Sequence, residues 1–481
     1  MKQLTPYILL MLLITTCFAC SDEEDFTTDS NARITFSEDT ISFDTVFSTI
    51  GSATESFQVY NDNDKAIRMK TIRLASGGKS GFHINVDGQS GTQFVDVDIL
   101  KHDSIFVFVE VNVNPHDADS PILVRDSLQF FLDNGRCQQV ILEAYGQDII
   151  ILRDSVIKTD TTLSSTRPFV IYDSLVVSKG ATLTLAPGTT LCFHSEASLD
   201  VHGRIIANGT LESPVTLRGD RTDKMFWYLP YDRIDGQWGG INITRESEGN
   251  VLDHVDIHGG AWGIFCDSTG VETTKLTLLN STIHNVQSYG LYSQSNKIRV
   301  ANSQITNAGG DCLLLIGGDY EFYHTTVAQF YPWDADRGKA LSFASIAADE
   351  PRPLQALKFY NCILTGYEDD VISGEKYANE SEEAEKAVAF NVMFTNCLLR
   401  TDTVGSSQYF TDCVLEDEDS VTCGTTNFKT IDTDNYIYDF QLDSLSRARH
   451  IGNPEFSRLY ARDKKGTIRS TEHPDAGCFE Y

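Results

Sequence analysis

From about residue 250 onward the polar and apolar positions of the chain recur in register. Asn280-Ser281-Thr282-Ile283 returns as Asn302-Ser303-Gln304-Ile305 and again as His324-Thr325-Thr326-Val327, so the pattern starts at 280, 302 and 324, a step of 22 residues. An earlier copy is His254-Val255-Asp256-Ile257. More widely spaced copies are Asn361-Cys362-Ile363-Leu364, Asn396-Cys397-Leu398-Leu399 and Asp412-Cys413-Val414-Leu415. Two residues before the Asn position stand Leu278, Val300, Phe322, Phe359, Phe394 and Phe410. One residue after it stand Ser281, Ser303, Thr325, Cys362, Cys397 and Cys413, and three after it Ile283, Ile305, Val327, Leu364, Leu399 and Leu415. Within a copy, inward-type positions alternate on either side of a polar turn, as short strands require. Across copies each position keeps its chemistry, as a coil needs when like side chains stack, one rung every ~4.8 Å. Such a repeat accommodates short strands and their turns, and stacking builds one continuous core from rungs that bury little alone. Turn Asn side chains are expected to hydrogen-bond from rung to rung. The Leu-x-x-Leu-x-Leu frame of a leucine-rich repeat is absent.

The stretch before the repeats reads differently. Ile34 to Phe36, Ser56 to Tyr60, Met69 to Leu74, Phe82 to Val86, Ser104 to Val113, Ser127 to Leu132 and Val140 to Tyr145 are strand-like and are separated by turns such as Asn61-Asp62-Asn63-Asp64. This spacing without a helical period predicts an antiparallel β-sandwich over residues 31–149. The order of Phe57-Gln58-Val59-Tyr60-Asn61, the run from Val107 to Pro115 and Glu143-Ala144-Tyr145-Gly146 resembles immunoglobulin-like domains of the Hydin-related group. That resemblance implies a spacer or docking module.

Further on, the run from Gly180 to Thr190, then Leu199-Asp200-Val201-His202-Gly203, Pro214-Val215-Thr216-Leu217 and Gly236-Gln237-Trp238-Gly239-Gly240-Ile241 is similar to the pectate-lyase-like superfamily. The closing Pro474-Asp475-Ala476-Gly477-Cys478-Phe479-Glu480-Tyr481 fits the same family. The resemblance implies an all-β chain, in which the immunoglobulin-like sandwich is followed by a right-handed parallel β-helix over residues 150–481 with loop insertions and a C-terminal cap. It implies no particular activity, because function sits in sites grafted on folds.

The N-terminus adds an address. Met1-Lys2, an apolar run from Tyr7 to Ile14 and Cys17-Phe18-Ala19-Cys20 read as an export signal over residues 1–20. The apolar run is shorter than the ~20 residues of a spanning helix. Ala19-Cys20 resembles a bacterial lipobox, with Cys17 at −3 where that family has Leu, Val or Ile, and implies lipidation at Cys20. Cys17 as the lipidated residue, or an ordinary secretory signal, are the alternatives. The acidic run Ser21-Asp22-Glu23-Glu24-Asp25 resembles the export signal of Bacteroidota surface lipoproteins and implies an outer-membrane protein facing the outside. Residues 21–30 are expected to form a solvated acidic tether.

Charge and cysteine count narrow the partners. The formal net charge of −30 repels nucleic acid, whose binding rests on Lys and Arg neutralising phosphates. It repels anionic lipid heads too, so the lipid must do the anchoring. After Cys20 the cysteines are 137, 192, 266, 312, 362, 397, 413, 423 and 478, an odd number with no CxxC pair. They read as buried small hydrophobes rather than zinc ligands.

Candidate chemistry is sparse. The hydrolase-type motifs of the superfamily are not present as a set, and no catalytic residue is assigned. Arg299 or Lys358, on successive copies with Thr277 and Glu321, are candidate lyase bases or members of a mixed-charge ladder on a solvated face. Asp369-Asp370 is the one adjacent Asp pair. The insertions carry more: Trp227, Tyr228 and Tyr231 in a loop between Arg218 and Gly236; Trp333, Asp334, Asp336 and Arg337 between Phe330 and Leu354; and an acidic stretch from Gly366 to Val388, in which a Glu- and Ala-rich run from Glu380 to Ala389 is expected either to form a short helix or to be mobile. Insertions in repeat folds collect on a face that often binds, and rings beside carboxylates suit sugars. No cofactor is expected, with calcium left open. The leading expectation is a non-enzymatic surface lipoprotein that binds or presents a ligand, first among them a glycan such as a polysaccharide. A polysaccharide lyase or glycoside hydrolase with an atypical site, and an adhesin with a protein partner, are the rivals.

Overall fold

The computed structural model describes residues 25–378, 388–402, 407–416 and 424–481, and the chain divides into two compact units between Gln147 and Asp148. Cys20 and the export signal lie outside the described residues. Among the described residues no helix is long and apolar enough to cross a membrane.

The first unit is a β-sandwich. One sheet carries, in spatial order, Thr35–Phe36, Glu55–Tyr60, Ser104–Val111, Phe82–Val86 and Gln89–Gly91. The other carries Thr40–Phe47, Cys137–Gln147, Ile122–Leu132, Ile67–Leu74 and Gln93–Ile99. Period-two alternation makes the core: Ile105, Val107, Val109 and Val111 are buried with Leu128, Phe130, Val140 and Leu142. Two expectations need correction. The sandwich is not wholly antiparallel, because Thr40–Phe47 pairs parallel to Cys137–Gln147, with Ile41 opposite Leu142 and Phe43 opposite Ala144. The tether does not extend to residue 30. Phe26 forms a parallel bridge with Ala66 and lies under the Arg68 guanidinium at 4.4 Å, and Asp25 pairs with Lys65 at 2.6 Å. The backbone bridge, the Phe26 ring and the Asp25–Lys65 pair together lay the chain onto the sandwich from Asp25 onward.

The second unit is a parallel β-helix. Each full coil places one strand in each of three parallel faces. The first face stacks Val255–His258, Thr282–Val286, Gln304–Ala308, Thr326–Gln329 and Ile363–Gly366. The second stacks Ile264–Cys266, Leu291–Gln294, Leu313–Ile316 and Leu341–Ala344. The third stacks Gly270–Leu279, Asn296–Ala301, Gly318–Tyr323 and Leu354–Tyr360. The expected ladders are in register. Leu278, Val300, Phe322, Phe359, Phe394 and Phe410 pair in sequence on the third face, and Ile283, Ile305, Val327, Leu364, Leu399 and Leu415 on the first. Phe359 is sandwiched between Phe322 at 4.4 Å and Phe394 at 5.1 Å, nearly parallel to both.

The Asn position is the corner between the third and first faces. His254, Asn280, Asn302, His324, Asn361, Asn396 and Asp412 all have φ between 44° and 54°. This left-handed conformation turns the chain in a single residue, and Asn, Asp and His tolerate it better than other L-residues. The following Ser, Thr or Cys points inward and accepts a backbone N–H of the preceding rung, as from Ser281 to Ser303 Oγ (3.2 Å) and from Cys362 to Cys397 Sγ (3.4 Å). Burial raises the Cys397 thiol, which therefore behaves as a small core residue.

Corner side chains do two things. Some bond along the stack, as Asn302 Nδ2 to Asn280 Oδ1 (3.2 Å) and Asn280 Nδ2 to Asp253 Oδ1 (2.8 Å). Others hold the C-terminal segment. Asn302 Nδ2 donates to the Arg462 carbonyl, His324 Nε2 meets Ser457 Oγ, and Asn396 Nδ2 donates to the Ile451 carbonyl. The chain end then packs Phe428, Phe440, Leu442 and Cys478 against Ala328, Phe330, Ile363 and Leu398.

Candidate functional site

The outer side of the first face carries a charged cluster. Leu217 pairs with Ile257 and His258 with His284, so Arg218, His258 and His284 follow one another along one row, with Asp256 in the adjacent row. The first insertion folds over them and lowers Asp232 onto His258. Asp256 Oδ1 lies 2.6 Å from His258 Nδ1 and 3.3 Å from His284 Nε2. On the other side of the ring, His258 Nε2 lies 2.9 Å from Asp232 Oδ1, which also accepts from Arg218 Nη1 at 2.6 Å. The His258 and His284 rings stack at 4.9 Å.

This arrangement sets the charge states. Burial disfavours a charged His258, but the Asp256 charge and the hydrogen bonds to Asp232 and Asp256 outweigh it and hold the imidazole up at about 9. Burial also opposes ionisation of Asp232, yet the His258 hydrogen bond and the His258 and Arg218 charges hold its carboxyl at about 2. Asp256 lies well below the usual carboxylate range, because the His258 and His284 charges outweigh its burial. At neutral pH His258 is thus an imidazolium donating from both nitrogens to ionised carboxylates. A ring so locked is not poised as a general base.

The same loop ends in exposed aromatic side chains. Phe226 and Tyr228 stack at 5.8 Å, Trp227 meets Tyr228 edge-on at 5.3 Å, and Trp227 is 87% exposed. Trp333 of the second insertion stacks on Tyr436 at 4.4 Å and 10°, with 39% of its surface still exposed. Tyr436 stands in the turn between Phe428–Asp432 and Ile437–Leu442. Arg233 Nη1 donates to the Asn435 carbonyl at 3.0 Å, which ties the first insertion to that turn. Tyr331 bonds Asp235 and so ties the second insertion to the first. A separate column, Phe265 and Tyr292 on the second face, stacks ring on ring at 4.4 Å along the coil axis, so it presents edges outward.

The residues singled out in sequence fall into distinct roles. Trp227, Tyr228 and Trp333 join the exposed aromatic group. Tyr231 does not: its ring lies 3.8 Å from the Arg221 guanidinium. Asp334 Oδ1 accepts from the Asp336 backbone N–H at 2.8 Å, and its carbonyl accepts from Arg337 Nε, which shapes the loop from within. Arg337 braces the third insertion, 3.5 Å from Glu368 and over the Tyr367 ring. Asp369 and Asp370 accept from Arg400 and Thr401. Arg299 and Lys358 lie on the third face and share Glu321, at 2.7 and 3.7 Å, as a mixed-charge ladder does. The run from Glu380 to Ala389 lies largely outside the described residues.

The repeat alignment had held part of the charged cluster unnoticed. His258 and His284 each stand four residues after the corner position, at 254 and 280. Their coincidence on successive copies was the available signal. Asp232 comes from an insertion with no repeat position, and nothing in the sequence placed it there.

The family model for a right handed beta helix region matches residues 169–327. The second unit is a right-handed parallel β-helix. No curated protein matches the chain. Among solved structures, the ASH/PapD-like domain of human CEP192 (PapD-like domain 7) is similar at 9% identity, over 25% of this chain and 90% of that one, with a TM-score of 0.18. A family 123 glycoside hydrolase from Clostridium perfringens, studied for glycolipid glycan hydrolysis, is similar at 8% identity over 26% of each chain, also with a TM-score of 0.18. Likenesses at that level carry no functional argument.

Proposed function

We propose that this protein is a lipid-anchored outer-membrane protein, facing the outside, that binds an uncharged glycan with the aromatic group on the β-helix loops. The observation that carries this reading is the pair of exposed aromatic groups, Phe226–Trp227–Tyr228 and Trp333–Tyr436, on segments that the Arg233–Asn435 bond ties together. Large rings left in water mark an interaction surface, and amphipathic rings with a free face suit the apolar faces of sugar rings. The net charge of −30 selects against polyanionic glycans. The sandwich acts as the spacer between lipid and β-helix.

The test is electrophoretic retardation of the full chain in gels containing neutral polysaccharides, for the wild type, Trp227→Ala and Trp333→Ala. Retention on at least one polysaccharide is expected. Trp333→Ala should weaken it tenfold or more, a loss of about 1.4 kcal/mol or greater. Retention that survives both substitutions places the glycan elsewhere, and retention on none removes the glycan reading in favour of a protein partner. Shortened chains in the same mixtures would make the protein an enzyme.

A further inference from the structure

We propose that Asp256, His258 and His284 form a site for a divalent transition-metal ion of the zinc class, with Asp232 and Arg218 as its outer partners. The site is independent of the glycan reading. Its ligand atoms lie within 4.8 Å of one another, and they come from two paired strands of the first face. Asp256 and His258 are two apart on one strand and face the same side. His284 stands beside His258 on the next coil. Both imidazoles aim a nitrogen at the same oxygen, Asp256 Oδ1, at 2.6 and 3.3 Å.

With metal–ligand bonds of about 2.0–2.1 Å, tetrahedral ligand atoms stand ~3.3 Å apart. The His284–Asp256 separation already has that value. The His258–Asp256 pair needs to open by less than ~1 Å, which side-chain rotation supplies.

The surroundings match what a metal-binding imidazole requires. A ligating histidine donates its other N–H to a carboxylate, which fixes ring orientation and tautomer. His258 does this through Nε2 to Asp232, and Arg218 holds Asp232 in turn. Access is asymmetric. The His258 side chain is 9% exposed, whereas His284 and Asp256 keep 26% and 37% of theirs exposed, so an ion can enter beside them and the remaining coordination positions face water. The donor set decides the ion. Calcium takes six to eight oxygen ligands, whereas here two of the converging atoms are imidazole nitrogens, which suit zinc, cobalt, nickel or iron(II). An ion here would displace the Nδ1 proton of His258 to solvent and lie against the Asp256 carboxylate, with Asp232 across the imidazole ring. Such an ion would cross-link successive coils directly and, through Asp232, the first insertion.

The experiment uses the full chain in detergent, stripped with a chelator. It is titrated with Co²⁺, followed by visible ligand-field absorption, and with Zn²⁺ by calorimetry, for the wild type, His284→Ala, His284→Gln and Asp232→Asn. One ion per chain is expected in the wild type. Both His284 variants should bind roughly 100-fold more weakly, and Asp232→Asn about 10- to 100-fold more weakly. His284→Gln keeps the side-chain bulk, and unchanged circular dichroism separates lost ligation from lost folding. Absence of Co²⁺ and Zn²⁺ binding in the wild type overturns the proposal. So does wild-type affinity in both His284 variants, or displacement of Zn²⁺ by equimolar Ca²⁺.

Discussion

Replacing Asn361 with Ala should loosen the C-terminal segment far more than a lost surface amide would. Asn361 is fully buried at a corner, with φ 52°. Its Nδ2 donates to the Asn453 carbonyl at 2.9 Å and lies 3.0 Å from His324 Nε2, while its Oδ1 accepts the Asn453 N–H at 2.7 Å. Alanine orphans the Asn453 N–H, at about 1–3 kcal/mol, while the Asn453 carbonyl keeps the Ser457 N–H at 3.4 Å. It must also hold a left-handed conformation that costs a Cβ-bearing residue about 1 kcal/mol. The sum is about 2–4 kcal/mol. Glycine loses the same hydrogen bonds without the backbone term, so Asn361→Gly should cost about 1 kcal/mol less than Asn361→Ala. Native-state hydrogen exchange reads this locally. The Asn453 amide should exchange roughly 30- to 1,000-fold faster in Asn361→Ala, while amides of the first unit stay unchanged. An Asn453 rate within tenfold of wild type, or Ala and Gly variants that cannot be told apart, would refute the reasoning.

Acid should loosen the same segment. Burial, and then the Arg469 charge, push His324 well below its ordinary 6.5. The unfolded state therefore binds a proton that the folded state refuses, and stability falls as pH drops below 6.5, by about 1.4 kcal/mol per pH unit until the folded value is reached. Comparing exchange of the Ser457 amide at pH 7 and pH 5 measures this. His324→Asn, which copies the corner residue of neighbouring rungs, should lose that slope, and a slope persisting in the variant would assign it to other groups. In the core, Phe359→Ala removes a ring stacked on both sides and should cost about 3–5 kcal/mol in urea unfolding of the second unit. A loss under about 1 kcal/mol would mean that the ladder repacks.

The parts of the fold legible in sequence are those with short-range physical causes. The corner Asn, His and Asp residues, the Phe ladder and the Ser/Cys ladder declared themselves because a coil forces equivalent positions into identical surroundings. The sandwich strands show through alternation, except Thr40–Phe47, whose buried Ile41 and Phe43 find their parallel partner Cys137–Gln147 about a hundred residues away. The exposed aromatics Trp227 and Trp333 were visible as residues, but their neighbours were not. Tyr436 reaches Trp333, and Arg233 reaches Asn435, through contacts that no period encodes.

What the sequence by itself determined is the repeating coil, its corners and its core, because stacking makes each rung's chemistry a copy of the next. What only the tertiary structure decided is where insertions land. Asp232 meets His258, and Arg337 meets Glu368, because loops outside the repeat answer to charge and packing across the whole fold, and those partners are set in space rather than along the chain.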